Sequence, residues 1–106
     1  MSVSLVPRTG DSDVYLVLDQ LRFDRVWREM DEELANEANI IEWIVEGQFV
    51  RPLQIVAFNT EEGWSRDVTE DIGRKLLDLS RQGRVLGAAA IEFVERVTGQ
   101  PPMVVV

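Results

Sequence analysis

Residues 14–21, VYLVLDQL, put apolar side chains on both faces of an extended chain and are rich in β-branched and aromatic types, the pattern of a buried strand. The next stretch, RFDRVWREM at 22–30, is more polar. Val26 and Met30 share one face with Asp24 and Arg28, while Phe23 and Trp27 share the other with Arg25. That alternation predicts a second strand after a turn near 22–25, and so a hairpin.

A helical period follows. Asp31 offers a side-chain acceptor for the first amides, and Glu32 and Glu33 place negative charge at the positive end of a helix dipole. Leu34, Ala38, Ile41 and Val45 recur at helical spacing, predicting a helix over 32–46 closed by Gly47 as a left-handed cap. At about 100° per residue, Trp43 falls opposite Leu34, and Ile40 lies between Trp43 and the stripe. PLQIVAF at 52–58 reads as a further strand, with Pro52 at the position where a missing N–H costs least.

The stretch AFNTEEGWSRDVTEDI runs from that strand through a polar loop at 59–66 into a helix. Asp67 is the expected N-cap, and Glu70 stands three residues later, the spacing of a capping box. Val68, Ile72, Leu76 and Leu79 make the apolar face of a helix over 67–79, with Gly83 as the stop. A last helix over 88–98 buries Ala90, Phe93, Val94 and Val97 and ends at Gly99. Residues 1–12 read as a loose N-terminal arm, and 100–106, QPPMVVV, as an extended tail that Pro-Pro keeps out of helix. The expectation is one α/β domain over 13–99, in the order β-β-α-β-α-α. It is a two- or three-layer sandwich on a small three-stranded mixed sheet with about three helices, and with the first strand in the middle.

Composition narrows the function more than it defines it. The 106 residues suit one domain, and 45% hydrophobic with 28% charged is globular composition. The net charge of −8 is uneven: residues 1–71 hold 16 acids and 6 bases, residues 72–106 hold 3 acids and 5 bases. Such a surface repels phosphate backbones and anionic membranes, so neither nucleic acid nor membrane is an expected partner. Between Glu29 and Val50 there are seven acids and no base, which predicts a solvated acidic face. The chain has no His and no Cys, which removes thiolate chemistry, Cys/His zinc sites and His general bases. The lack of disulfides agrees with a cytoplasmic location. No apolar run approaches a membrane span, no nucleotide-binding or metalloprotease motif occurs, and no cofactor is implied.

Three readings compete for the polar loop and its neighbours. Glu61, Glu62, Asp67 and Asp71 gather near a strand end and could hold Mg²⁺ or act as acid and base, with Arg66 and Arg74 binding an anionic substrate. Capping and dipole stabilisation account for the acids at the helix start without any catalysis, and that reading is preferred. Trp64, in a polar loop after Gly63, either pins the loop to the core or meets a partner; pinning is preferred. Ile40 and Trp43, off the expected stripe, either bury within the subunit or form an apolar interface, for which a symmetric homodimer is the commonest use.

The segments VYLVLD, WREMDEE and EGQFVRPLQIVAFNTEEGWSRDVTEDI together resemble a family of small bacterial proteins, over about residues 14–80. The resemblance implies an intact bacterial cytoplasmic domain. It assigns no activity and carries no catalytic residue to these positions. The function expected from the sequence is a non-enzymatic interaction module acting as a homodimer. The carboxylate- or Mg-dependent enzyme is the alternative. A second alternative is an acidic inhibitor or mimic that binds a basic partner.

Overall fold

The computed structural model describes residues 13–29 and 36–102. The elements are β1 (Asp13–Gln20), β2 (Arg25–Glu29), α1 (Glu37–Val45), β3 (Pro52–Asn59), β4 (Ser65–Asp67), α2 (Thr69–Arg81) and α3 (Ala88–Thr98). The expected N-terminal arm, the cap at Asp31, Leu34 and the last four residues of the tail lie outside the described residues.

The sheet has four strands in the order β2-β1-β3-β4, so β1 is interior, as its two apolar faces require. Every pairing is antiparallel, which corrects the expectation of three strands in a mixed sheet. The fourth strand is SRD, three residues with no apolar signal, and it forms because the preceding turn aims it. Asn59 Oδ1 accepts the amides of Glu61 and Glu62, at 3.0 and 2.7 Å, and the Gly63 N–H donates to the Asn59 carbonyl at 2.9 Å. Gly63 closes the turn at φ 77°, a left-handed conformation costly for any side chain.

The three helices of the described residues pack on one face of the sheet. Tyr15 and Val17 of β1 and Ile55 and Ala57 of β3 share a core cluster with Ile40, Ile44, Ile72, Leu76, Ala90, Phe93 and Val94. The approach of α2 to α3 is close at Gly73, where a Cβ would stand 2.8 Å from Val97 Cγ1.

The start and the buried face of α1 differ from the sequence expectation. Asn36 is the N-cap, its Oδ1 accepting the Asn39 amide at 2.9 Å, so the helix begins later than 32. The buried residues are Ile40, Ile44 and Val45, with Ala38 exposed and Ile41 half-buried. Six of the nine residues of EANIIEWIV are apolar, so periodicity alone underdetermines the face, and packing against α3 and the sheet selects it.

The expected acidic face is partly neutralised. Glu37 pairs with Lys75 Nζ at 2.6 Å, and Glu42 takes both guanidinium nitrogens of Arg84, at 2.9 and 2.6 Å.

Candidate interaction surface

The opposite face of the sheet carries its own apolar set. Successive strand residues point to opposite faces, so the even positions of β1 face away from the helices. The register places Val14 beside Phe58, Leu16 beside Val56 and Leu18 beside Gln54. On the other side, Leu16 meets Glu29, Leu18 meets Trp27 and Gln20 stands beside Arg25. None of Leu16, Leu18, Trp27, Val56 or Phe58 belongs to the helix-packed core; Val14 is buried, and Leu16, Leu18, Val56 and Phe58 are half-buried. Trp27 is 46% exposed at the rim of this face, and Phe23 in the hairpin turn is 84% exposed. The sequence assigned 22–30 to a strand but did not single out its aromatic residues. The signal was available in the pairing of an apolar alternation with three arginines, but reading it required knowing that β2 is an edge.

The two edges of the sheet differ. β4 is short and polar, and Arg66 and Asp67 blunt it. β2 is longer, and among the described residues it has a neighbour on one side only. A buried carboxylate fixes its position. Asp19 is fully buried and accepts from Arg28 Nη1 at 3.1 Å, from the Val50 amide at 3.0 Å and from the Arg51 amide at 2.7 Å. One side chain thus ties β2 to β1 and holds the loop that leads into β3. It does so beside the irregularity in the β1–β3 register between Leu18 and Asp19. The guanidinium of Arg28 also lies 5.7 Å from the centre of the Phe49 ring.

Of the two residues expected at an interface around α1, Ile40 is buried and Trp43 is half-buried. Ile40 is 0% exposed and belongs to the core with Ile44 and Val45, so it contributes no surface. Trp43 is half-buried against that core and lines a cleft of ≈ 140 Å³ with Arg28, Gln48 and Phe49. Trp64 is half-buried against the core, its Nε1 donating to Glu62 Oε1 at 2.8 Å and the Arg66 guanidinium 5.8 Å from its ring centre. It therefore pins the turn.

The four carboxylates of the enzymatic reading are dispersed over separate partners. Glu61 and Glu62 sit exposed in the turn, and Glu62 is held by Trp64. Asp71 pairs with Arg74 at 3.5 Å, and Arg74 also takes Glu70 at 2.9 Å. Among the described residues no group of three or more acidic side chains is arranged to hold a metal ion. Glu70 thus turns to Arg74 and does not close the expected capping box. Asp67 stands one position before the cap residue Val68, yet still serves the helix start: its Oδ1 accepts the Thr69 amide at 2.9 Å and the Thr69 hydroxyl at 2.6 Å. Its Oδ2 accepts from Gln54 Nε2 at 2.8 Å.

Burial pushes the Asp67 carboxyl up, but the hydrogen bonds from Thr69 and Gln54 outweigh it and hold the group below the usual aspartate range. A depressed carboxylate stabilises the fold at pH above its unfolded value, and the contribution is lost as pH falls through the folded value. Asp67→Asn should therefore flatten part of the acid limb of a stability–pH profile and leave its slope unchanged above neutrality. Urea denaturation from pH 2 to 8 tests this, and an unaltered acid limb would contradict it.

No helix among the described residues is long and apolar enough to cross a membrane. No protein-family model matches the chain, no curated protein matches it, and no solved structure matches it.

Proposed function

We propose that this domain is a non-enzymatic protein-interaction module that works as a homodimer. The observation that carries the reading is the sheet face opposite the helices, where Leu16, Leu18, Val56 and Phe58 run toward an exposed Trp27. An apolar face of this kind, rimmed by charged side chains, is the usual form of a protein interface. Trp and Arg, both present at its β2 rim, are the residue types that most often dominate binding energy. The uneven charge of the chain tunes encounter rate and partner choice more than affinity in this reading. A bacterial, cytoplasmic setting, suggested by the sequence resemblance, belongs to the same proposal.

Light scattering across a dilution series tests it. The expected result is a mass that moves from twice the chain mass at high concentration toward the chain mass on dilution. A single-chain mass at every concentration would overturn the homodimer.

A further inference from the structure

The edge of β2 that has no neighbour among the described residues is specific enough to define how a second copy docks. Leu21 N–H donates to the Asp24 carbonyl at 2.7 Å, so residues 21 and 24 form a hydrogen-bonded pair of the hairpin. The β1–β2 register runs Gln20↔Arg25, Asp19↔Val26, Leu18↔Trp27, Val17↔Arg28 and Leu16↔Glu29 without interruption. In an antiparallel ladder, hydrogen-bonded and non-hydrogen-bonded pairs alternate. The backbones of Val26 and Arg28 therefore bond to β1, and those of Arg25, Trp27 and Glu29 point their N–H and C=O groups outward along the free edge.

We infer that two copies of this chain pair β2 to β2 in antiparallel register with Trp27 on the two-fold axis, joining the two sheets into one of eight strands. The inference rests on the homodimer reading and supplies its geometry. Centring on Trp27 sets Trp27 against its own copy and Arg25 directly opposite Glu29 of the other chain, twice by symmetry. All three residues offer outward backbone groups, so the pairing uses the hydrogen bonds the edge already presents. The neighbouring registers are poorer. Centring on Arg25 or on Glu29 sets like charges face to face, which is destabilising in a sheet. Centring on Val26 sets Arg28 against Asp24, but Arg28 is already held by the buried Asp19. Arg25, Trp27 and Glu29 share the face of Leu16 and Leu18, so the joint also makes continuous the two apolar faces that carry no helix among the described residues. β2 offers five residues and the aromatic ring, whereas β4 offers three polar residues, which is why the joint falls at this edge.

Charge reversal tests the register. Arg25 and Glu29 are both exposed, so neither substitution disturbs the core. In the Trp27-centred dimer, Arg25→Glu alone opposes Glu to Glu twice, and Glu29→Arg alone opposes Arg to Arg twice. Each should weaken self-association roughly ten- to thirtyfold in sedimentation equilibrium, with the circular dichroism spectrum unchanged and the melting temperature lowered only as far as loss of the dimer requires. An equimolar mixture of the two variants restores both opposite-charge pairs, and so should the doubly substituted chain. Recovery of the dimer in the mixture supports the inference. A dimer indifferent to the substitutions, or weakened without recovery on mixing, overturns this register and leaves the homodimer reading standing. A monomeric unsubstituted protein overturns both.

Discussion

Asp19→Ala should lower the free energy of unfolding by about 3 kcal/mol, the low end of the range for breaking a buried ion pair, because the Arg28 side chain left behind is 38% exposed. The carboxylate is wholly buried and serves three donors: Arg28 Nη1, the Val50 amide and the Arg51 amide. Alanine leaves two backbone N–H groups without their acceptor and strips a guanidinium of its counter-charge. A donor left without its acceptor costs up to about 1–3 kcal/mol, the upper end applying only where water cannot take the acceptor's place. Asp19→Asn should cost less, because its amide oxygen can still accept one of the backbone amides. The total stability of a domain this size is about 5–15 kcal/mol, so the alanine variant would lose a substantial share of it. Urea denaturation with an unchanged slope is the measurement. A loss under about 1 kcal/mol would mean that water replaces the carboxylate, and that the loop into β3 does not depend on it. Because Asp19 also positions Arg28, the same variant should loosen β2, and with it self-association.

Phe93→Ala should cost a comparable amount, about 3–5 kcal/mol, through a different cause. Phe93 is fully buried at the centre of α3, in a cluster that takes residues from all three helices and the two central strands. Truncation removes apolar area and leaves a cavity that three separate elements would have to collapse to fill. The guanidinium of Arg96 lies 5.6 Å from the ring centre and donates to the Pro52 carbonyl and the Glu92 carboxylate. The ring therefore also supports the contact between α3 and the start of β3. Phe23→Ala is the matched control. At 84% exposure in the hairpin turn it should change stability by no more than about 0.5 kcal/mol. Equal losses at the two positions in denaturant titrations would contradict the assigned core.

The contrast between these two phenylalanines marks the reach of the sequence. Phe93 was legible as core because Ala90, Phe93, Val94 and Val97 fall on one helical face, bounded by Gly99 at φ 74°. Phe23 carries the same side chain, but strand alternation cannot say which face of an edge strand is covered. The same limit hid the apolar set on the helix-free face. Leu16 and Leu18 look buried from composition, and only the placement of all three helices on one side separates them from Tyr15 and Val17.

Misplaced expectations share a cause. Ile40 was set on an outer face because one stripe was fitted to a helix in which most positions are apolar. β4 was absent from the expected fold because strand propensity cannot find three polar residues, whereas the Asn59 and Gly63 turn imposes pairing on them whatever their side chains. The carboxylates of the polar loop looked like one site because they are close along the chain. In space three of them turn to separate donors: Glu62 to Trp64, Asp67 to Thr69 and Gln54, and Asp71 to Arg74.

Local chemistry is what the chain wrote for itself. The β1 and β3 runs, the α2 and α3 faces, the stops at Gly83 and Gly99 and the lack of His or Cys chemistry all follow from residue types and short spacings. Which strands meet, which face the helices cover, which edge stays open and where Asp19 finds its three donors were decided by the tertiary structure. Those outcomes depend on residues some thirty positions apart, such as Asp19 and Val50, and no local pattern carries that information. The candidate interface belongs wholly to this second group, since an edge and a face opposite the helices exist only once the sheet has been assembled.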